Sequence, residues 1–378
     1  MAKDAPNSDS ISNPPQCARC PLPSAFTLRL HPLCPTHITQ YIHTKTIKRL
    51  ETFRTRYSSP NDPPRRLLLA LSFGVSSTSL LQILDWHLAG QRERVGRAGV
   101  EVRVVWVRGF NEVGTGREGQ GGGEQEERLE RLRERYPAHA FETLELASVL
   151  DLIPGLATSL PPDPDLDASV PASQRLDALL TSLPSASSRA DLKRTLLHRL
   201  LLHHASATSC SALLYGSTTT LLAERTLAEV ASGKGFALPQ LITDTPASPS
   251  EGGVQILHPL RDVLRKEIQI YASLVAPPLA PLLLHEAPVG AKAVVNSRDA
   301  TIEGLMRGYF EGVEEGFPAV VSNVVRTVGK LQAQPQLSRV EKVAECGVCG
   351  LAFVQEGEVE RSRVCGGCAR MLGGVAMS

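Results

Sequence analysis

Short aliphatic and β-branched runs alternate with longer stretches in which apolar residues recur at helical spacing, and this rhythm fills the middle of the chain. Side chains alternate faces along a strand and return to one face about every 3.6 residues along a helix, so the two patterns separate strands from helices. They predict strands at Leu67 to Ser72, Val100 to Val107, Phe141 to Leu146, Ala212 to Tyr215 and Val254 to Leu257. Helices are expected near Ser76 to His87, Glu124 to Arg135, Arg189 to Ala205, Thr219 to Ala231 and Arg261 to Leu274. Strands alternating with helices read as a doubly wound, mainly parallel α/β sheet. Leu67 to Leu71 is apolar almost throughout, so both faces of that sheet should be covered.

Three stretches break the rhythm: a Gly- and Glu-rich one from Gly109 to Glu127, a Pro-rich acidic one from Pro154 to Ser173, and a third from Thr243 to Gly253. Such compositions bury little apolar surface and are expected to be mobile surface loops. Two further helices, near Ile302 to Glu311 and Ala319 to Leu331, precede a polar linker. The expected organisation is residues 1–66 as an N-terminal ribbon and basic helix, 67–274 as the α/β domain, 275–335 as C-terminal helices and 336–378 as a second ribbon.

With 378 residues, 42% of them hydrophobic, the chain is long enough for one substantial core and has ordinary globular composition. The longest apolar run, Leu274 to Leu284, is broken by Pro277, Pro278 and Pro281 and falls short of the roughly 20 residues of a bilayer span. No membrane association and a cytoplasmic location are expected. The net charge of +1 excludes a uniformly basic coat. Charge is nevertheless uneven: Lys45, Lys48, Arg49, Arg54, Arg56, Arg65 and Arg66 face only Glu51 and Asp62. A run of this kind is either a solvated face or a surface for a phosphate backbone.

All eight cysteines except Cys210 lie at the two ends. Cys17 and Cys20 precede Cys34 and His37; Cys346 and Cys349 precede Cys365 and Cys368. Paired turns at this spacing present four ligands to one zinc ion, about 2.3 Å from each sulfur, so both ends read as zinc ribbons. Disulfides fit poorly, because the first residues are polar and carry no secretory pattern. An iron–sulfur cluster remains compatible with the spacing.

Between Leu67 and Trp86 an apolar strand runs into a small-residue turn and then a helix. Helix N-termini present N–H groups to anions, although Ser76, Ser77 and Thr78 could equally be plain capping residues. The turn resembles that of the PP-loop ATP pyrophosphatase superfamily, Ser-Gly-Gly-x-Asp-Ser, but here reads Ser72, Phe73, Gly74, Val75, Ser76, Ser77. Phe73 replaces the first Gly and is expected to crowd the approach of phosphate. Ser76 replaces the Asp, removing a charged partner for magnesium. ATP and magnesium are therefore doubtful ligands, with Ser72, Gly74, Ser76 and Ser77 forming a degenerate loop.

Within that superfamily the chain resembles the cytoplasmic tRNA 2-thiolation protein 2 family over nearly its whole length. The likeness rests on the N-terminal CxxC and CPTH before a basic helix, the Ser-Ser turn, and three segments: LLYGSTTTLLAERTLAEVASGKGFALP, HPLRDVLRKEIQIYASL and FPAVVSNVVRTVGKL. The resemblance implies a heterodimer with a catalytic thiolation subunit that keeps an intact loop. The pair would replace the 2-oxygen of the wobble uridine in lysine, glutamate and glutamine tRNAs with sulfur from the thiocarboxylate of a ubiquitin-related modifier. That chemistry needs adenylation of the oxygen and then a sulfur nucleophile. Cys210 is the sole cysteine outside the end clusters, and Gly216 to Thr220 holds neither acid nor histidine. A buried lone Cys is usually a small hydrophobe. The chain therefore reads as a non-catalytic, tRNA-handling subunit; the alternatives are an active ATP-dependent sulfurtransferase and a zinc-ribbon scaffold for attaching the modifier to proteins. Contacts to tRNA are expected from Lys45, Lys48, Arg49, Lys234, Arg326 and Lys330. For Lys234 the plainer reading is a charge answering a helix C-terminus, and for Arg326 an ion pair.

Overall fold

The computed structural model describes residues 15–57, 64–110, 122–153, 155–160, 169–246, 253–284, 300–331, 343–354 and 364–373. An N-terminal hairpin, β1 (Phe26–Leu28) and β2 (His31–Leu33), leads into the long helix α1 (Pro35–Tyr57). The central domain follows as β3 (Arg65–Leu71), α2 (Val75–Val95), β4 (Val100–Arg108), α3 (Gly122–Arg135), β5 (Ala140–Glu145), α4 (Val149–Leu152), α5 (Ala172–Ser182), α6 (Ala186–Ala207), β6 (Ala212–Leu214), α7 (Thr219–Ala231), α8 (Leu238–Ile242), β7 (Thr245–Pro246), β8 (Gln255–Leu257) and α9 (Arg265–Leu274). Helices α10 (Ile302–Gly316) and α11 (Pro318–Val328) precede a second hairpin, β9 (Val343–Glu345) and β10 (Ala352–Val354), and a short α12 (Gly366–Met371).

The sheet order is β5-β4-β3-β6-β8-β7, parallel except for β7 at the edge. Strict alternation assigns its two faces. Leu67, Leu69 and Leu71 of β3 with Val102, Val104 and Trp106 of β4 bury against α1, α2, α3 and α9. Leu68 with Val105, Val107 and Leu213 buries against α4, α5 and α6. Each such side chain contributes roughly 1.5–3 kcal/mol on burial, which is why an all-apolar strand settles at the centre. The doubly wound parallel fold expected from the sequence is the one observed.

Between β3 and β6 the winding direction reverses, so the loops after these two strands diverge and leave a crevice at their carboxyl ends. A third cluster, with Leu222 and Ala223 of α7 meeting Phe310, Val321, Val325 and Val328, seats α10 and α11 beside that crevice. Glu314 of α10 fastens the junction: it accepts from the Thr220 hydroxyl at 2.7 Å and from the Lys266 backbone N–H at 2.8 Å.

About half of the three stretches expected as mobile loops, residues 111–121, 161–168 and 247–252, lies outside the described residues, as does the linker at 332–342. Three margins of those stretches differ from expectation. Leu156 and Leu160 are buried, Thr245–Pro246 pairs with β8, and α3 already begins at Gly122. The helix α5 is also unforeseen; Leu176 and Leu180, one helical turn apart, bury beneath it.

Candidate functional site

At the crevice, Ser72 to Gly74 links β3 to α2 and Tyr215 to Thr218 links β6 to α7. Both helices begin without an acidic residue in the first turn, leaving two uncompensated positive dipole ends side by side. A Cβ on Gly216 would lie 2.8 Å from the Ser77 N and Cα and 3.0 Å from the Ser76 carbonyl carbon, so only glycine lets the second loop press on the first. The Ser77 hydroxyl folds the first loop onto itself, donating to the Gly74 carbonyl at 3.2 Å and accepting from the Ser72 N–H at 3.3 Å. Ser72 Oγ lies 3.1 Å from the same hydroxyl.

Phe73 does not crowd this cradle, contrary to the expectation from sequence. Its φ is +55°, which turns the ring away from the loop mouth and into the core, where it is 0% exposed. Its carbonyl accepts from the Leu284 N–H at 2.9 Å, clamping the turn. A left-handed backbone costs a non-glycine residue about 1–2 kcal/mol; burial of the ring offsets this.

The crevice opens into a cavity of about 380 Å³, walled by the two loops, by Trp106, Phe110 and Tyr215, and by Arg194, Arg225, Arg265 and Arg307. Among the described residues two carboxylates line it, and both are engaged: Glu224 with Arg265 at 2.7 Å and Glu303 with Arg194. Burial raises the Glu224 pKa, and Arg265 pulls it back only in part. Such a lining suits an anion and offers little to a divalent cation. Sequence reasoning missed the arginines, which come from α6, α7, α9 and α10 and share no local motif.

Behind the cavity Tyr215 is sandwiched between His198 and His258, with ring centroids 5.9 and 5.8 Å away. Its hydroxyl meets His198 Nδ1 at 2.7 Å. Burial, then Arg225 and Arg199, brings His198 down to about 3. Burial and the same Arg225 lower His258 well below its ordinary range. Both imidazoles are therefore neutral at neutral pH and build the wall. Cys210 precedes β6, at the end of the sheet opposite the cavity; it is buried, and burial raises its pKa, keeping it a thiol.

The N-terminal ligands converge. Cys17 Sγ lies 3.6 Å and Cys34 Sγ 3.3 Å from His37 Nδ1, and Cys20 Sγ lies 3.7 Å from Cys34 Sγ. Burial would push the Cys17 thiol up, but backbone N–H groups of Arg19 and Cys34 outweigh it and the thiol sits at about 6. At the other end Cys346, Cys349, Cys365 and Cys368 are all buried; Cys349 and Cys365 sulfurs are 3.8 Å apart, and the Cys365 N–H donates to Cys346 Sγ at 3.3 Å. Gly350, at φ +74°, makes the tight turn that returns the chain from Cys346. In each set all ligand atoms lie within 4.8 Å of one another. A tetrahedral ion bonded to sulfur at about 2.3 Å has sulfurs about 3.8 Å apart, matching both sets. A [4Fe–4S] cubane, whose thiolates each reach a different iron, spreads its sulfurs wider.

The expected tRNA contacts fall in three places. On α1, Lys45 lies over the Tyr41 ring, Lys48 is exposed, and Arg49 pairs with Asp244 at 3.3 Å and Asp262 at 3.6 Å. Arg326 and Lys330 are exposed at the end of α11. Arg261, absent from the expected set, stands between: it donates to the Val325 carbonyl at 3.2 Å, and burial followed by the nearby Arg49 lowers its pKa. Lys234 does not belong with them. It is 3% exposed and holds both oxygens of Asp191 at 2.6 and 2.7 Å, so its ammonium is inside the protein. Burial lowers its pKa, but Asp191 and then Cys368 more than restore it.

Comparison with known proteins gives a consistent outcome. The family model of cytoplasmic tRNA 2-thiolation protein 2 matches residues 301–368. The protein of that name from Phaeosphaeria nodorum is 40% identical over 330 residues, covering 87% of this chain and 82% of its own. Its counterpart from Pyrenophora tritici-repentis is 38% identical over 341 residues, covering 90% and 85%. Among solved structures, the U34-tRNA thiolase of Methanococcus maripaludis, determined with its [4Fe-4S] cluster, shares the fold with a TM-score of 0.54 at 15% identity, covering 94% of each chain. Among the described residues no helix is long and apolar enough to cross a membrane. With relatives this similar over most of both lengths, the chain belongs to the cytoplasmic tRNA 2-thiolation protein 2 family.

Proposed function

We propose that this protein serves cytoplasmic tRNA thiolation as a non-catalytic subunit that handles tRNA for a catalytic partner. The reaction is 2-thiolation of the wobble uridine in lysine, glutamate and glutamine tRNAs, and the sulfur comes from a thiocarboxylated ubiquitin-related modifier through the partner's chemistry. The shared name of its relatives supports the pathway and the cytoplasmic setting. One observation carries the non-catalytic reading: the cavity that would host the reaction has no cysteine in its lining, and Cys210 lies at the opposite end of the sheet. Among the described residues, the two carboxylates lining the cavity are both held by arginines, which leaves magnesium no free carboxylate there. The blunted loop, Ser72, Gly74, Ser76 and Ser77, keeps an anion cradle only.

Both ribbons are read as zinc sites that fix the ends of the chain to the body. Three thiolates with His37, and four thiolates, are donor sets that zinc takes in structural sites. RNA contact is assigned to Lys45, Lys48 and Arg49 on α1, joined through Arg261 to Arg326 and Lys330.

Turnover decides the central point. Purified alone with tRNA, ATP and magnesium, the chain should form no pyrophosphate, and with its partner the complex should. Pyrophosphate release by the chain alone, abolished by Ser77→Ala, would establish the active sulfurtransferase reading instead. Metal content by mass spectrometry should give about two zinc ions per chain and no iron.

A further inference from the structure

The buried lysine withdrawn from the RNA surface lies directly against the second cysteine set. A Cβ on Gly367, the residue before Cys368, would come within 2.5 Å of Lys234 Cγ, so the first turn of α12 rests on the lysine side chain. Lys234 and Cys349 line one small cleft together with Glu229 and Arg225. Arg370 of α12 donates to the Gly233 carbonyl at 2.9 Å, locking the ribbon onto the same turn.

Charge gives this packing a purpose. Four thiolates around a dication carry a net double negative charge, and all four cysteines here are buried, so water screens little of it. Lys234, Arg194 and Arg225 gather around two buried carboxylates: Lys234 and Arg194 on Asp191 at 2.6 and 3.0 Å, and Arg194 and Arg225 on Glu229 at 3.4 and 3.6 Å. Glu303, partly exposed, is a third carboxylate on Arg194, so the charges of this group balance; its lysine is the member whose side chain packs against Gly367, next to Cys368. The N-terminal set has a neutral imidazole for its fourth ligand and is partly exposed at Cys20 and His37, so it needs no such partner.

We propose that Lys234 is an outer-sphere cation of the C-terminal metal centre, held by Asp191 and acting through the thiolates to retain the ion. The proposal rests on the four cysteines binding metal. It also links that centre through Asp191 to Arg194, which lines the central cavity.

The test follows release of zinc from the full-length protein to an excess of a coloured chelator, with the C-terminal phase identified in a C17S/C20S background. Outer-sphere partners typically confer 10–100-fold in metal affinity, so K234M should release the C-terminal ion at least about tenfold faster. K234R, which keeps the charge, should stay near the parent rate. D191N, which leaves the lysine charge undivided, should release it no faster than the parent. Parent-like release from K234M overturns the proposal, as does release from K234R or D191N as fast as from K234M, since packing alone would then explain the effect. Should K234M fail to fold, rapid release from K234R or D191N overturns it and slow release from both upholds it. A parent protein that binds no zinc sinks the metal reading itself, a distinct outcome.

Discussion

The ring of Phe73 meets the ring of Trp106 edge-on, with centroids 5.5 Å apart, beneath a turn whose backbone is left-handed at Phe73. A residue that breaks the phosphate-loop pattern has thus been absorbed as a core side chain. Its ring is buried at the cost of a left-handed backbone at this one residue.

Phe73→Gly would restore the pattern and remove that strain. It also empties a buried ring site, for which truncation costs about 3–5 kcal/mol, against a gain of about 1–2 kcal/mol in backbone energy. The expected outcome is a net loss of roughly 1–4 kcal/mol in urea unfolding, with no pyrophosphate formation gained. Unchanged stability would contradict the buried placement.

Gly216→Ala drives a methyl group into the Ser76–Ser77 backbone, where no flexible atom can give way. Overpacking of this kind costs typically 1–3 kcal/mol. A lower urea midpoint with an unchanged m-value is expected, together with weaker binding of inorganic pyrophosphate measured by calorimetry.

Reversing Lys45, Lys48 and Arg49 together should weaken tRNA binding and flatten its dependence on salt, the slope falling by up to about one unit for each phosphate no longer neutralised. Arg261→Glu should act in the same direction. K234M should leave the slope alone, because a buried ammonium meets no phosphate. An unchanged slope in the triple variant would remove α1 from the RNA surface.

Three buried histidines set a pH dependence. Burial, then His87, lowers His43 from 6.5 to about 4, burial with two arginines takes His198 to about 3, and burial, then Arg225, lowers His258 well below its ordinary range. All three folded pKa values are depressed, so the unfolded chain binds more protons as pH falls below 6.5 and stability drops. The loss should begin near pH 6.5 and continue to about pH 4 for His43 and further for His198, with a plateau above. Urea midpoints across this range measure it, and His198→Gln should make the curve shallower.

Much of the fold was legible because it follows from local periodicity. Leu67 to Leu71 could only be a central strand, and Thr219–Ala231 is a helix over the very span its pattern indicated. The cysteine pairs were legible for a similar reason: a CxxC turn brings its two thiolates together whatever surrounds it. Helix α5 was hidden by an acidic, Pro-rich neighbourhood, although Leu176 and Leu180 carried a short apolar signal.

What the sequence alone indicated was therefore most elements of the central sheet and its helices, the family resemblance and the cysteine pairs able to serve as ligands. Only the tertiary structure decided which way a side chain faces when its backbone allows both. The same Phe73 would have blocked the loop with its ring turned outward; the opposite Trp106 and a positive φ send it inward. Lys234 followed a glycine as a surface lysine would, until Asp191, from a distant helix, drew it inside. Arg261 joined two basic segments far apart in sequence through one backbone carbonyl. Burial and charge pairing are sums over neighbours from the whole chain, and no local window holds those neighbours.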